Sequence, residues 1–459
     1  MDEIYSSVFL RIFSCFESTK LNPTLKKPRE SVDLSELTQS TFPDEVLEKV
    51  LSLVQSHKDR NSASLGCKDW YNAERWTRAK LFIGNCYSVS PEIRIGVLIF
   101  RLGLMFLPKF TPFPEELRLK RMAVRDESLE FLAKSFHGFK VLSLLRCDGF
   151  STDGISSIAS HCKSLTELDI QENGMDDISG SWLSCFPDDF ASLEVLNFAS
   201  LNSEISIDAL KRLVSRCKSL RVLKVNKNVT LSQLQRLLVR APQLIELGTG
   251  CFLPELTSRQ SLTPVKEEGL EAVGTSCPLL EELRVFPANP FEEDIVHGVT
   301  ESGFVAVSTG CPKLQYVLYF CRQMTNAAVA MIVHNCPDFT HFRLCIMNPG
   351  QPDYMTSEPM DEAFGALYAK NLETLSVAFA GSSDWALLSG LEKYESMRCL
   401  WMSACSVTMN GCRLLAQEKP RLNVEVIKDE NSDDFADKLY VHRSVAGPRR
   451  DVPPFVVTL

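Results

Sequence analysis

A short frame, L-x-x-L-x-L with apolar residues in the L positions, recurs along this chain and limits what it can fold into. It reads "CKSLTELDI" (162–170), "CKSLRVLKV" (217–225), "CPLLEELRV" (277–285), "CPKLQYVLY" (311–319), "CPDFTHFRL" (336–344) and "NLETLSV" (371–377). Looser copies are "ELRL" (116–119), "FKVLSLL" (139–145), "SLEVLNF" (192–198), "QLIELGT" (243–249) and "MRCLWM" (397–402). Many neighbours lie about 24–28 residues apart. Two intervals, 247 to 283 and 342 to 375, are wider. Between copies run helical patterns such as "SIDALKRLVSRC", "TESGFVAVSTGC" and "TNAAVAMIVHNC". Each opens near Ser, Thr, Asp or Asn, side chains that cap a first turn, and continues with apolar residues at helical spacing.

One strand and one helix per unit, stacked, make a curved α/β solenoid with the period of a leucine-rich repeat. Alternate side chains of a strand point to opposite faces. The L positions therefore face the core, and the residue between the last two faces the concave sheet. That column reads Arg118, Ser143, Asp169, Asn197, Lys224, Arg284, Leu318, Arg343, Ser376 and Trp401. Arg343 is thus expected on the inner surface. Two readings of it stand: a solvated arginine, or part of an anion site with Arg284, and with Lys120 and Arg121 near a third arginine of the column.

The chain has 459 residues, too many for one ordinary compact domain unless it is built from repeats. Apolar residues make up 45% and charged residues 23%, the balance of a soluble globular protein. The net charge of -9 argues against a general nucleic-acid or acidic-membrane binder. Sixteen cysteines without a CxxC pair read as reduced, mostly buried thiols of an intracellular protein. The apolar stretch Val8–Phe16 lacks the basic start of a signal peptide, and residues 1–40 are expected to be a disordered extension. The run Ile95–Leu107 is too short to span a bilayer and contains Arg101, so no transmembrane helix is expected. No catalytic group or metal site is expected: the histidines form no H-E-x-x-H or Cys/His spacing, and no G-x-S-x-G occurs.

Ahead of the repeats comes "FPDEVLEKVLSLVQSHKDRNSASLGCKDWYNAE" (42–74). Pro43 and Asp44 suit a helix start. Val46, Leu47, Val50, Leu51 and Val54 form an apolar stripe. "HKDRN" reads as a polar turn, and "SASLGCKDWYNAERW" as a second helix with Leu65, Cys67 and Trp70 inward. Gly66 falls inside that second helix, at a cost of about 1 kcal/mol relative to alanine. Such a helical hairpin is either a cap on the solenoid or a docking module.

The same stretch, "FPDEVLEKVLSLV" followed by "DRNSASLGCKDWY", resembles an F-box. An F-box joined to leucine-rich repeats resembles the plant auxin-receptor F-box family. "LRLKRM" (117–122), "LRVFP" (283–287), "LYFCRQMTNAA" (318–328), "FRLCI" (342–346), "LSVAFAG" (375–381), "LWMSAC" (400–405) and "VHRSVAGPRRDVPPFVVTL" at the C-terminus extend the likeness over most of 42–459. The resemblance implies an F-box at 41–85, a repeat solenoid at 86–427 and a C-terminal cap and tail at 428–459. It implies a non-catalytic substrate receptor of an SCF ubiquitin ligase, docked on a Skp-type adaptor and through it on a cullin. Phe42, Pro43, Val46, Leu47, Val50, Leu51, Leu65 and Trp70 would meet the adaptor. It implies auxin as a molecular glue for Aux/IAA repressors, with Arg343 gripping the auxin carboxylate. Leu344, Cys345, Ser376, Val377 and Ala378 would line the pocket, and Phe320 would touch the degron. It implies inositol hexakisphosphate as a structural cofactor on Lys120, Arg121, Arg284, Arg343 and Arg398, and a nuclear location.

The chain also departs from that family. Residues 91–114 stand where the family has a pocket-walling loop. Blocks of repeats are missing between 252 and 266, within 361–375 and near 382–397. Family basic positions are occupied by His341 and Gly350. Two further readings follow: a truncated or decoy F-box protein that docks the adaptor but has lost auxin and degron recognition, and a repeat scaffold in which the hairpin is only a cap.

Overall fold

The computed structural model describes residues 44–54, 57–66, 68–77, 80–84, 115–136, 138–229, 231–249, 268–285, 300–321, 324–346, 361–367, 371–378, 383–403, 405–428, 438–442 and 456–458. The expectations for the 1–40 extension, Phe42, Pro43, Cys67, residues 91–114, Gly350 and most of the tail lie outside these residues. The described residues divide into two compact units, one up to Leu220 and one from Arg221 onward.

The first unit opens with three helices, α1 (Asp44–Leu53), α2 (His57–Ser64) and α3 (Lys68–Thr77). Three helices, rather than the expected hairpin, arise because the polar "HKDRN" stretch is itself helical. The second helix then breaks at Leu65 and Gly66, where the N–H groups bond back to Ser62 and Ala63. Gly66 lies in that turn, so the expected helix penalty does not arise. Leu47, Leu51 and Ala73 form the small core, with Ala63 and Trp70 packed on it. Buried Arg60 ties the three helices together. Its guanidinium donates to the Leu51 carbonyl of α1 at 2.5 Å, and to the Glu74 carboxylate at 3.3 Å and the Thr77 hydroxyl at 2.8 Å of α3.

The repeats of this unit follow. In chain order they are β1 (Lys80–Gly84), β2 (Glu116–Lys120), α4 (Asp126–Ser135), β3 (Val141–Leu145), β4 (Asp148–Phe150), α5 (Thr152–His161), β5 (Glu167–Asp169), β6 (Gly174–Met175), β7 (Val195–Asn197) and α6 (Ile207–Arg216). Strands β1, β2, β3, β5 and β7 are parallel and in that order, while β4 and β6 pair separately. Leu117, Leu142, Leu168 and Leu196 stand side by side in the core, each at most 1% exposed. Successive units are stapled: the Asp126 carboxylate at the start of α4 accepts from the Ser151 backbone and hydroxyl at 2.8 and 2.6 Å.

The second unit repeats the pattern with β8 (Val222–Val225), α7 (Leu231–Leu238), β9 (Glu246–Thr249), α8 (Glu268–Ser276), β10 (Glu282–Val285), α9 (Glu301–Gly310), β11 (Tyr316–Cys321), α10 (Asn326–Asn335), β12 (His341–Ile346), α11 (Asp361–Ala366), β13 (Thr374–Ala378), α12 (Asp384–Leu388), β14 (Cys399–Ser403), α13 (Met409–Glu418) and β15 (Asn423–Lys428). These eight strands are parallel. Then β16 (Lys438–His442) pairs antiparallel to β15, and β17 (Val456–Thr458) parallel to β16. Across the two wide intervals the strands pair directly, Leu247 with Leu283 and Arg343 with Ser376. Helices α8 and α9 approach so closely that a Cβ on Gly310 would meet the Gly274 carbonyl oxygen at 1.8 Å, which only glycine permits.

Cysteine closes one helix after another, at Cys162, Cys217, Cys311 and Cys336. These thiols are buried and reduced. The Cys336 Sγ donates to the Cys311 carbonyl at 3.4 Å, and the Cys311 Sγ to the Cys277 carbonyl at 3.2 Å. Among the described residues no helix is long and apolar enough to cross a membrane, and no group of three or more His, Cys, Asp or Glu could hold a metal ion.

Candidate functional site

Two surfaces matter, one in each unit. On the helical module, Val46 and Val50 of α1 are 45% and 42% exposed, and Leu65 is 75% exposed. Leu53 and Tyr71 are also exposed. A module this small leaves one apolar stripe to its own core and another to solvent. The expected docking set therefore divides. Val46, Val50 and Leu65 are available to a partner. Leu47 and Leu51 are the module's own core, and Trp70 packs against it. Leu65 also corrects the expectation of an inward side chain: the turn at Gly66 swings it out. Leu53 and Tyr71 were not foreseen, because their direction depends on where the helices break.

On the second unit the register is the informative quantity. Leu318 pairs with Arg343, Arg343 with Ser376 and Ser376 with Trp401. Two residues further along, Phe320 pairs with Cys345 and Cys345 with Ala378. Paired residues on neighbouring strands are about 5 Å apart. Phe320, Arg343, Cys345, Ser376 and Ala378 thus share one patch of one face. Leu344 and Val377 do not: alternation turns them to the opposite side, with Phe342 and Leu375, at 4% and 3% exposure.

Arg343 keeps its place in the column but is 5% exposed, so the reading of a solvated arginine is corrected. The reason lies in its cross-strand neighbours. Leu318, Phe320 and Trp401 are large and themselves buried, and they crowd the same face. The Tyr316 ring lies against both arginines: Arg284 Cζ is 5.3 Å and Arg343 Cζ 5.9 Å from its centroid. His341 stacks on the other partner of that set, its ring 4.9 Å from Tyr316. Burial, and then the Arg343 charge, hold the His341 pKa below its ordinary value, so the ring is neutral near pH 7. Burial also pushes the Cys345 thiol up to about 12.

The remaining cations have carboxylate partners. Lys224 Nζ lies 2.9 Å from Glu246 and 3.4 Å from Glu282, and Arg284 Nε contacts Glu282 as well. Burial works against the Glu282 charge, but Arg284 and Lys224 outweigh it and hold its pKa below the usual carboxylate range. In the first unit Arg118 grips Glu167 bidentately at 2.7 and 3.0 Å. This acidic column was missed in the sequence. Its signal is legible afterwards: Glu116, Glu167, Glu246 and Glu282 each stand just before the core leucine of the strand, two residues before a concave position.

The residues expected to hold inositol hexakisphosphate fall in both units. Lys120 and Arg121 belong to the first unit, where Arg121 has a left-handed backbone (φ 56°) after β2. Arg284, Arg343 and Arg398 belong to the second. The Arg398 side chain is 81% exposed at the entrance of β14, 3.8 Å from Glu373, and outside the Arg343 column. Within the second unit Glu282 stands beside Arg284, and Glu373 beside Arg398.

A three-helix module followed by a parallel strand-and-helix repeat is the architecture expected of an F-box protein with leucine-rich repeats. The F-box family model matches residues 39–80. A transport inhibitor response 1-like protein of Oryza sativa subsp. japonica is 35% identical, over 91% of this chain and 99% of that protein. GRR1-like protein 1 of Arabidopsis thaliana is 38% identical, over 91% and 97%. The yeast Rad7–Elc1 crystal structure superposes with a TM-score of 0.56 at 17% identity, covering 83% of this chain and 92% of that one, a likeness of fold. The chain belongs to the leucine-rich-repeat F-box family of the plant auxin-receptor type. That membership makes it a substrate-receptor subunit of an SCF ligase that binds a Skp-type adaptor. The alignment with the rice protein runs over 567 positions, of which 91% of a 459-residue chain fills about 418; roughly 150 positions of the relative have no counterpart here.

Proposed function

We propose that this chain recruits Aux/IAA repressors to an SCF-type ubiquitin ligase, with auxin as the glue and the nucleus as the place of action. Ubiquitin is transferred by other subunits, so this chain binds and makes no bond. Arg343 would pair with the auxin carboxylate, Ser376, Cys345 and Ala378 would flank the ring, and Phe320 would meet the degron. The observation that carries the reading is the register: these five residues, drawn from three neighbouring strands, share two adjacent rows of one face. A planar, permanently charged fork suits a carboxylate.

Two observations favour a second reading, an adaptor-docking subunit that senses no hormone. Arg343 is nearly buried, and about 150 positions of the relative have no counterpart here. The two separate in one pull-down. The chain is co-purified with a Skp-type adaptor and presented with an Aux/IAA degron peptide, with and without auxin. Auxin-dependent capture that Arg343→Ala abolishes supports the first reading. Adaptor capture without degron capture refutes it in favour of the second. A fluorescent fusion in plant cells tests the nuclear location.

A further inference from the structure

The inner face of the second unit carries its own counter-ions. On the Arg343 side of β8 to β15 the described residues include the cations Lys224, Arg284 and Arg343. The same side carries three carboxylates, Glu246, Glu282 and Glu425. Glu246 and Glu282 are direct cross-strand neighbours. Like charges so placed repel unless a cation lies between them, and Lys224 reaches both. Glu282 also contacts Arg284, which closes a chain of alternating charge: Glu246, Lys224, Glu282, Arg284. The Tyr316 ring then covers one face of the Arg284 and Arg343 guanidinium groups.

This arrangement bears on which ligand the face accepts. A single carboxylate at Arg343 need not meet either glutamate. A polyphosphate spans several cations at once. It would have to reach Arg284 and Lys224 past carboxylates already in contact with them. We propose that Glu246 and Glu282 are specificity-determining residues: built-in counter-ions that keep polyphosphates such as inositol hexakisphosphate off this face. The stabilisation that a bound polyanion would give the column is supplied by the chain itself. The inference does not depend on auxin recognition, since it concerns cations other than Arg343.

The test uses the full chain co-purified with a Skp-type adaptor and inositol hexakisphosphate as the probe, with binding followed by calorimetry. Glu246→Gln/Glu282→Gln keeps both side-chain shapes and removes both charges. The double variant is expected to bind at least about tenfold more tightly than the parent. Adding Arg284→Gln should remove that gain, which assigns it to this face even when another part of the chain contributes a background signal. A folded double variant that gains nothing overturns the proposal. So does a parent whose micromolar binding is lost with Arg284→Gln alone. Where circular dichroism shows the double variant unfolded, Glu246→Gln alone serves: the Glu246 side chain is 33% exposed, and among the described residues its ion pair is with Lys224. The same gain is then read on that variant, removed by Lys224→Gln, and its absence again refutes the idea.

Discussion

Replacing Arg60 by methionine tests whether one buried cation organises the F-box. The side chain is 9% exposed and Glu74 is 3% exposed. Its hydrogen bonds reach the Leu51 carbonyl, the Glu74 carboxylate and carbonyl, and the Thr77 hydroxyl, so it joins α2 to both other helices. Methionine fills most of the volume but supplies no donor. The Glu74 carboxylate then stays in a dry site without its arginine, which costs about 3–5 kcal/mol for a broken buried pair. The lost bond to the Leu51 carbonyl lies within that figure and is not added to it. The core that opposes this loss is small, with Leu47, Leu51 and Ala73 as its buried members. The assay is native-state hydrogen exchange of the full chain, because a global melt would report the repeats instead. Amides of α1 and α3 should lose roughly two to three and a half powers of ten in protection, and Arg60→Lys should not restore them, since an ammonium cannot reproduce the fork. Arg60→Met/Glu74→Leu should recover much of the loss by removing the stranded charge. A change under about tenfold in Arg60→Met would refute the reasoning and leave the apolar contacts as the organising element.

Further outcomes follow from the same geometry. Val50→Glu and Leu65→Asp, both at exposed positions, should abolish capture of the Skp-type adaptor with stability changed by at most about 0.5 kcal/mol; adaptor binding retained by both variants in a pull-down would exclude this surface. His341 is held below its unfolded pKa by burial and by Arg343, against the weaker pull of Glu373 and Glu282, and it stacks on Tyr316. The unfolded chain therefore takes up the proton first as pH falls. Stability should decline from about pH 6.5 downward, and urea titrations of His341→Gln should show a shallower decline. Glu282 adds a separate loss at lower pH: its folded pKa is depressed, so its contribution is present above the ordinary carboxylate range and disappears as pH falls through the folded value. Burial pushes the thiols of Cys277, Cys311 and Cys336 up to about 12. The native chain should therefore resist iodoacetamide at these three sites at pH 8, where about one thiol in ten thousand is ionised, and mass spectrometry should find them labelled only after denaturation.

How much of this was legible in the sequence depends on the distance over which each feature is decided. The repeat frame is local, so a period-2 alternation inside each strand was enough to choose the column that runs Lys224, Arg284, Leu318, Arg343, Ser376 and Trp401 in register. The wide intervals, 247 to 283 and 342 to 375, did not disturb that choice, because register is set by which face must be buried. The F-box was legible as a family pattern but not as geometry. A single turn at Gly66 decided that Leu65 faces out, and "HKDRN" carries no apolar signal to mark it as helix. The burial of Arg343 was not legible at all. It comes from Leu318 and Tyr316 on one side and Trp401 two strands away, and no window on β12 contains them.

The acidic column shows the same limit from the other direction. Each glutamate could be read in place, as the residue before a core leucine. Read alone, each is a solvated strand residue. Only the stacking of strands reveals that Glu167 lies within reach of Arg118, 49 residues earlier, and that Lys224 reaches Glu282, 58 residues later. A column of like side chains becomes a site only when its neighbouring column leaves its charge exposed. Counting the arginines and lysines of one column pointed toward an anion site; counting both columns gives a face close to neutral, in which Glu246 and Glu282 hold Lys224 and Arg284. That difference is why the proposed carboxylate grip of Arg343 and the proposed exclusion of a polyphosphate are compatible: one ligand needs a single fork, the other needs the whole column.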